Sequence, residues 1–214
     1  MPFQDRRDAG RRLAEALAER TITAPAVIGL PRGGVPVGHE VAARLGAPLE
    51  VLMVRKLGYP AQPELGIGAI AEGGVRVLNE ELVRHLGVSD EMLDEVTERE
   101  QRELERRVDL YRAGRPPIPL TGRTAILVDD GLATGFTARA AIESLRRQGA
   151  ARIVLAVPVG SPDTVAGLRG EVDEIVAVET PAALGAIGMY YREFGQVADE
   201  EVARILGAAP PEPS

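Results

Sequence analysis

The sequence predicts an α/β fold whose mostly parallel sheet of about five strands is flanked by helices. Short apolar runs alternate with longer stretches of helical periodicity, and glycines and prolines mark the joints between them. The repeated order strand, helix, strand implies parallel pairing. With 45% hydrophobic residues, the 214-residue chain can fill one full core, so we expect residues 1–214 to form a single domain.

The first third of the chain predicts a helix followed by a βαβ unit. Residues 5–20 carry apolar side chains at helical spacing, and Asp5 is placed to cap that helix. Residues 26–30 are typical of a buried strand. A glycine loop, a helix over 35–45 and a second buried strand over 49–54 complete the unit.

The middle of the chain departs from this alternation. Glycines and prolines interrupt residues 55–78, which predicts a long flexible loop ending in a hairpin arm at 75–78. Residues 80–113 predict a helical insertion, with Ser89 capping its long second helix. Glu100 interrupts the apolar stripe of that helix. A solvated face accounts for its many charges.

The remaining residues return to the alternating pattern. Strands are expected at 124–128, 152–157 and 174–178, with a helix over 137–148. Residues 179–214 form a tail that we expect to act as a small hood, with a helix at 199–206 and loose residues from 208 onward.

Composition excludes several kinds of site. The chain has no cysteine, which rules out disulfides, thiolate metal sites and a cysteine nucleophile. A net charge of −7 argues against a broad nucleic-acid surface, so no nucleic-acid partner is expected. No apolar stretch is long enough for a bilayer, and the first residues lack the apolar segment of a signal peptide. We therefore expect a cytoplasmic protein without a membrane partner.

The most informative segment is an acidic strand end followed by a glycine-containing loop. The apolar run 126–128 leads into Asp129 and Asp130, and the loop 131–137 then opens a helix. Ligands of open α/β sheets lie beyond the carboxyl ends of the strands. A helix N-terminus and converging backbone amides suit a phosphate, whereas the two carboxylates suit vicinal sugar hydroxyls. The loop lacks the lysine of a Walker A motif.

This segment resembles the phosphoribosyl-pyrophosphate motif of the type I phosphoribosyltransferases over twelve positions, 126–137. The resemblance implies that Asp129 and Asp130 hold the ribose hydroxyls. It also implies that the following loop residues hold the 5′-phosphate: Ala133, Thr134, Gly135, Phe136 and Thr137. An acidic turn that merely caps a helix is the alternative. Signalling receiver domains also place adjacent acids at a strand end, but on their first strand rather than the third.

Two further segments match the order of elements in this family. Arg32, Gly33 and Gly34 follow the first strand, as the family's pyrophosphate loop does, although strand-Gly-Gly-helix is common in α/β folds. We expect the glycines to permit unusual backbone dihedrals. Lys56 opens the flexible loop, where the family carries a mobile catalytic loop, although a basic pair at a strand end is often only solvated. It is the single lysine among 25 basic residues.

Aromatic residues near the end of the chain and acids in the flexible loop are the candidates for contacts with the acceptor. Tyr191 and Phe194, near Tyr190, are candidates for stacking on an acceptor base, with packing of the tail as the equal alternative. Glu64 and Glu72 lie where they could contact an acceptor, but surface acids explain them better. Ala133 resembles the adenine and uracil types at that position. The acceptor is not named by this pattern.

The family resemblance implies a reaction. It implies transfer of the 5-phosphoribosyl group from magnesium-complexed phosphoribosyl pyrophosphate (PRPP) to a nitrogen of a nucleobase or related acceptor. Arg32, Lys56, Asp129 and Asp130 are the candidate catalytic residues. Mg²⁺ is expected to be held mainly by PRPP, without direct protein ligands. A noncatalytic PRPP-sensing regulator and an inert relic of the site remain alternatives, and a homodimer is an open expectation because the family often dimerises.

Overall fold

The central element of the computed structural model, which describes residues 2–207, is a parallel five-stranded sheet. Its strands are β1 (Pro25–Gly29), β2 (Leu49–Val51), β6 (Thr124–Val128), β7 (Arg152–Val159) and β8 (Glu174–Glu179). They lie in the order β2-β1-β6-β7-β8, and every neighbouring pair is parallel. The predicted fold class is confirmed.

Helices cover both faces of this sheet. Helices α1 (Arg6–Ala18) and α2 (Gly34–Leu45) pack on one face, and α5 (Phe136–Arg147) and α6 (Pro162–Leu168) pack on the other. The carboxylate of Asp5 accepts a hydrogen bond from the Asp8 amide at 2.7 Å, which confirms it as the cap of α1. Apolar side chains from both layers are buried against the strands, so a hydrophobic core lies on each face of the sheet.

The strand order reverses between β1 and β6. From β1 the chain crosses to β2 on one side, and it returns later to place β6 on the other side. The loops that leave the carboxyl ends of β1 and β6 therefore lead to helices on opposite faces of the sheet, α2 and α5. The position between these two loops, called the crevice below, is where ligands bind in open α/β sheets. Gly29 of β1 pairs with Val128 of β6, so both loops start at the same level.

Residues 54–78 form a second sheet rather than an irregular loop. Its antiparallel strands are β3 (Val54–Tyr59), β4 (Gln62–Ala71) and β5 (Val75–Leu78). The predicted strand 49–54 was wrong at its end, because β2 stops at Val51 and Val54 pairs with Ala71 in the new sheet. An apolar run cannot show that the chain leaves one sheet for another. Mobility of the segment about 55–78 remains a prediction.

The helical insertion packs against the second sheet, and the helix of the tail packs against the insertion and against α2. Helices α3 (Glu80–His85) and α4 (Asp90–Arg112) occupy the predicted insertion, and Ser89 caps α4. Leu93, Val96 and Leu104 of α4 share a core with β3, β4 and helix α7 (Asp199–Ile205). The tail also contains a short 3-10 turn at Ile187–Tyr190. A hood function for residues 179–214 remains a prediction, and 208–214 lie outside the described residues.

Candidate functional site at the crevice between the first and third parallel strands

The acid pair lies at the carboxyl end of β6, inside the crevice. Asp129 and Asp130 directly follow the strand, and both are half-buried. Arg6 of α1 donates from Nε to Oδ2 of Asp130 at 2.8 Å, and the backbone amide of Asp130 donates to Oδ1 of Asp129 at 2.8 Å. Asp129 receives no cation of its own within hydrogen-bonding distance among residues 2–207. The site therefore holds two carboxylates against a single ion-paired arginine.

Burial and mutual repulsion oppose ionisation of this pair. Desolvation raises the pKa of Asp129 well above its usual range, and the neighbouring Asp130 charge raises it further. Desolvation also raises the pKa of Asp130, while the hydrogen bond and charge of Arg6 counteract part of that rise. A ligand that donates hydrogen bonds to these oxygens would relieve the repulsion. The geometry suits hydroxyl donors or a cation rather than another anion.

The loop after the acids is anchored at Leu132 and ends at Gly135. The amide of Leu132 donates to the Val159 carbonyl at 2.9 Å, so β7 supports the loop from the side. Gly135 adopts φ +80°, and a Cβ there would lie 2.8 Å from the methyl carbon of Thr164. Both the dihedral and the close neighbour require glycine. Ala133 and Thr134 are exposed, and Phe136 and Thr137 begin helix α5, whose N-terminus faces the loop.

The loop after β1 lies against the acid pair. Gly33 has the ordinary dihedrals φ −63° and ψ −35°, and Gly34 is not in the left-handed region. The expectation that these glycines permit unusual dihedrals was therefore wrong. Their role is close approach: a Cβ on Gly33 would lie 2.0 Å from Oδ2 of Asp130, and one on Gly34 would lie 2.5 Å from the Val128 carbonyl oxygen. The peptide bond between Pro31 and Arg32 is cis.

Arg32 and Lys56 lie on different elements near the crevice. Arg32 is partly exposed and its nearest carboxylate is Asp199 of α7, with Nη1 to Oδ1 at 3.7 Å. The same Asp199 oxygen accepts a 2.5 Å hydrogen bond from the buried Tyr111 of α4. Lys56 is exposed on β3, and its Nζ donates to the Glu64 carbonyl at 3.2 Å. The roles predicted for Arg32 and Lys56 remain predictions.

The tail aromatics have partners within the protein. Tyr191 is buried, with its ring 5.4 Å from Phe3 and 4.8 Å from Phe194, and its hydroxyl donates to the Asp130 carbonyl at 2.6 Å. The Arg6 guanidinium lies 3.9 Å from the centre of the Phe194 ring. Tyr191 thus contacts the backbone of the acid pair, and its ring packs between Phe3 and Phe194. Tyr190 donates its hydroxyl to the Ala183 carbonyl, and acceptor stacking remains a prediction for Tyr191 and Phe194.

Sequence reasoning missed Arg6 and misjudged Glu72. Arg6 contacts Asp130 across 124 positions of sequence, and a single arginine on a charged helix face gives no signal of such a contact. Glu72 is not a surface acid, because its carboxylate accepts from the Met53 amide at 2.7 Å and from Arg112 at 2.6 Å. Glu72 therefore joins the second sheet to helix α4.

No group of three or more His, Asp or Glu side chains within residues 2–207 is arranged to hold a metal ion. No helix in the described part of the chain is both long and apolar enough to cross a bilayer.

Comparison with known proteins places the chain in a family. A family model described as a phosphoribosyl transferase domain matches residues 4–192, and that span includes both loops of the crevice. The chain therefore belongs to the type I phosphoribosyltransferase family, which confirms the resemblance drawn from residues 126–137.

Three similar proteins each match most of this chain, and one of them is named as a phosphoribosyl transferase. A Mycobacterium tuberculosis protein named as a phosphoribosyl transferase is 53% identical over 207 residues, which cover 97% of this chain but 47% of that protein. The chain thus spans about half the length of that relative. The bifunctional protein PyrR of Chloroflexus aurantiacus is 34% identical over 83% of this chain and 91% of its own length. The crystal structure of the protein TT1426 from Thermus thermophilus has 46% identity and a TM-score of 0.82, covering 96% of this chain and 98% of its own.

Proposed function

We propose that this protein transfers the 5-phosphoribosyl group from Mg-PRPP to a nitrogen of a nucleobase or related heterocycle and releases pyrophosphate. The observation that carries the proposal is the acid pair at the end of β6, which lies beside a helix N-terminus and is touched by the glycines of the β1 loop. Family membership supports the reaction class, and the acceptor is part of the proposal.

Each part of the crevice matches one part of Mg-PRPP. The carboxylates of Asp129 and Asp130 accept hydrogen bonds from the ribose 2′ and 3′ hydroxyls. Residues 133–137 surround the 5′-phosphate, where the α5 N-terminus adds positive potential. We assign Arg32 and the Gly33 amide to the diphosphate, whereas the Gly34 amide donates to the Leu30 carbonyl at 2.9 Å, so Gly34 contributes close approach of the backbone. Magnesium arrives with PRPP, because it prefers phosphate oxygens, hydroxyls and water to an all-protein cage.

The reaction breaks one bond at C1 of the ribose and forms another. The C1–O bond to pyrophosphate breaks and its electron pair leaves with pyrophosphate, while the acceptor nitrogen bonds to C1 and loses its proton. Positive charge develops on the ribose ring as the leaving group departs. Asp129 and Asp130 fix the sugar, and Arg32 with Lys56 offsets charge on the departing pyrophosphate.

Calorimetry with paired variants tests the ribose assignment. We expect wild-type protein to bind Mg-PRPP and the Asp129→Ala/Asp130→Ala variant to lose that binding. A Glu80→Ala/Glu81→Ala variant is the matched control, because those adjacent acids are exposed at the start of α3, outside the crevice. Unchanged affinity in the Asp129/Asp130 variant would refute the assignment. Pyrophosphate release across a panel of bases, with and without each base, then identifies the acceptor.

A noncatalytic regulator that senses PRPP is the second candidate. The relative named as a bifunctional protein favours it, because its 34% identity extends over 91% of its length. The two functions separate in one experiment. A regulator binds Mg-PRPP through the acid pair but releases no pyrophosphate with any base, whereas an enzyme releases it only when its acceptor is present.

A further inference from the structure

A cavity of about 330 Å³ lies beside the crevice, between the β1 loop, the second sheet and helix α4. Pro31 contributes the wall on the side of the crevice, Arg55 and Lys56 contribute the wall from β3, and Arg99 with Arg107 contributes the wall from α4. The volume is in the range of small-molecule sites. The helical insertion thus reaches the neighbourhood of the loop that we assign to the diphosphate.

The lining of this cavity is cationic although the chain is acidic. Four cations line it, Arg55, Lys56, Arg99 and Arg107, against the two carboxylates of Glu64 and Glu100. The local surplus is two positive charges (four minus two), whereas the whole chain carries −7. A concave site with a positive surplus attracts anions.

Glu100 explains how two of these cations are held. Its side chain is nearly buried, within the apolar stripe of α4 that includes Leu93, Val96 and Leu104. Its Oε2 accepts from Nε and Nη2 of Arg55 at 3.0 and 2.6 Å, and its Oε1 accepts from Nε of Arg99 at 3.2 Å. A buried carboxylate at an apolar position is unfavourable unless it is paired. Here the pairing orients two guanidinium groups at the cavity.

Arg107, further along helix α4, is also held by a glutamate. Its Nε donates to Oε1 of Glu103 at 2.7 Å, and hydrogen bonds from Arg106 and Arg107 lower the pKa of Glu103 to about 2. In each of the three arginines, Arg55, Arg99 and Arg107, Nε donates a hydrogen bond to a glutamate carboxylate. Within residues 2–207, both terminal nitrogens of Arg99 and Arg107, and Nη1 of Arg55, have no hydrogen-bond partner. Guanidinium groups oriented in this way present their donors to a further anion.

We propose that this cavity binds a diphosphate group, with Arg99 and Arg107 as binding residues contributed by the helical insertion and Glu100 as the residue that positions Arg55 and Arg99. The diphosphate can come from PRPP or its pyrophosphate product, in which case the inference rests on the proposed function. It can also come from a separate nucleoside diphosphate that binds as an effector. The recognising chemistry is the same in both cases.

The first test uses inorganic pyrophosphate and calorimetry at one fixed, low ionic strength. We expect Arg99→Ala and Arg107→Ala each to weaken pyrophosphate binding by about tenfold or more, as the loss of a charge-assisted contact does. Arg102→Ala is the matched control on the same helix, because Arg102 is exposed and its only carboxylate neighbour within residues 2–207 is Glu98 at 3.8 Å. That control should leave the affinity within about twofold. Arg99 is itself largely exposed, so its variant should fold, and thermal melting checks this.

The outcomes separate this inference from the proposed function. If pyrophosphate does not bind the wild type, or binds it and the Arg99→Ala/Arg107→Ala variant equally, the inference is overturned, whatever Mg-PRPP does. If pyrophosphate binding depends on both arginines but Mg-PRPP never binds, the inference holds and the proposed function fails.

Titrating the Arg99→Ala/Arg107→Ala variant with Mg-PRPP and with a nucleoside diphosphate identifies the source of the diphosphate. PRPP is the source if this variant binds Mg-PRPP more weakly than wild type, while the separate Asp129→Ala/Asp130→Ala variant still binds pyrophosphate. Weakened binding of a nucleoside diphosphate with unchanged Mg-PRPP affinity supports the inference with an effector as the source.

Discussion

Gly34→Ala tests whether the crevice depends on close approach between the β1 loop and the acidic strand end. The added Cβ would lie 2.5 Å from the Val128 carbonyl oxygen and 2.9 Å from the Asp129 Cα. Both are backbone atoms at the end of β6, which pairs with a strand on each side. Because neither atom can rotate away, the β1 loop or the strand end must move.

The size of the effect follows from these distances. Carbon atoms pack at about 3.5 Å or more, so the Cβ would overlap Asp129 Cα by about 0.6 Å. Overpacking of this kind costs about 1–3 kcal/mol, while replacing glycine by alanine in a helix returns about 0.5–1 kcal/mol. The difference spans about 0–2.5 kcal/mol. Because both clashing atoms belong to the backbone, we expect the upper part of that span, about 1–2 kcal/mol, which for a chain of this length lowers the melting temperature by about 2–8 °C.

The assay compares Gly34→Ala with a glycine that has room for a side chain. Gly167 lies in α6, where an added Cβ meets only the end of Arg139 at 3.6 Å, so Gly167→Ala should raise the melting temperature slightly. We also expect Gly34→Ala to weaken Mg-PRPP binding, because the displaced strand end carries Asp129. A Gly34→Ala protein that melts at or above wild type, with the loop unmoved in a crystal structure, would show that the reasoning is wrong.

Three further predictions concern other parts of the site. Burial raises the folded-state pKa of Asp129, so the stability that this carboxyl contributes is complete below the ordinary aspartate pKa of about 3.9 and is lost as pH rises through the raised value. The Asp129→Asn protein should therefore melt at a higher temperature than wild type at a pH of about 8, and the two melting temperatures should converge at acidic pH. Melting temperatures that differ by the same amount at every pH would contradict this. Gly135→Val should lose affinity for the 5′-phosphate, since a side chain at φ +80° would strain the loop and strike Thr164, and a crystal of wild-type protein soaked in sulfate should show the anion at 134–137; an ordered, empty loop at high sulfate would argue against the assignment. Lys56→Ala should lower turnover more than PRPP affinity, as a contact made chiefly in the transition state does, with Lys56→Arg as the control; wild-type turnover in Lys56→Ala would exclude the catalytic role.

Several elements of the fold were predictable because their signals are local. Residues 124–128 are an almost uninterrupted apolar run, and the structure places β6 at Thr124–Val128. Asp5 and Ser89 are caps that act within four residues of themselves, and both were identified from the sequence. The end of β2 was not predictable, since the apolar run continues into Val54 while the chain changes sheets.

The glycines show where local reasoning gives the right residues for the wrong reason. Gly33 and Gly34 were identified from their place after a strand, and a conformational explanation was the natural one. The structure shows ordinary dihedrals at Gly33 and a neighbouring acid pair that leaves no room for a Cβ. Such an explanation depends on a contact with the end of β6, far along the chain, and no spacing rule reports it.

The sequence by itself determined the family, the parallel sheet and the twelve-residue segment 126–137, because strand, loop and helix N-terminus are contiguous and their chemistry is readable in order. Tertiary structure alone decided which side chains surround that segment. Arg6 reaches Asp130, Tyr191 supports its carbonyl, and Glu100 orients Arg55 toward a cavity. These contacts join residues 45 to 124 positions apart, and they exist only once helices α1 and α4 and the tail have packed onto the two sheets.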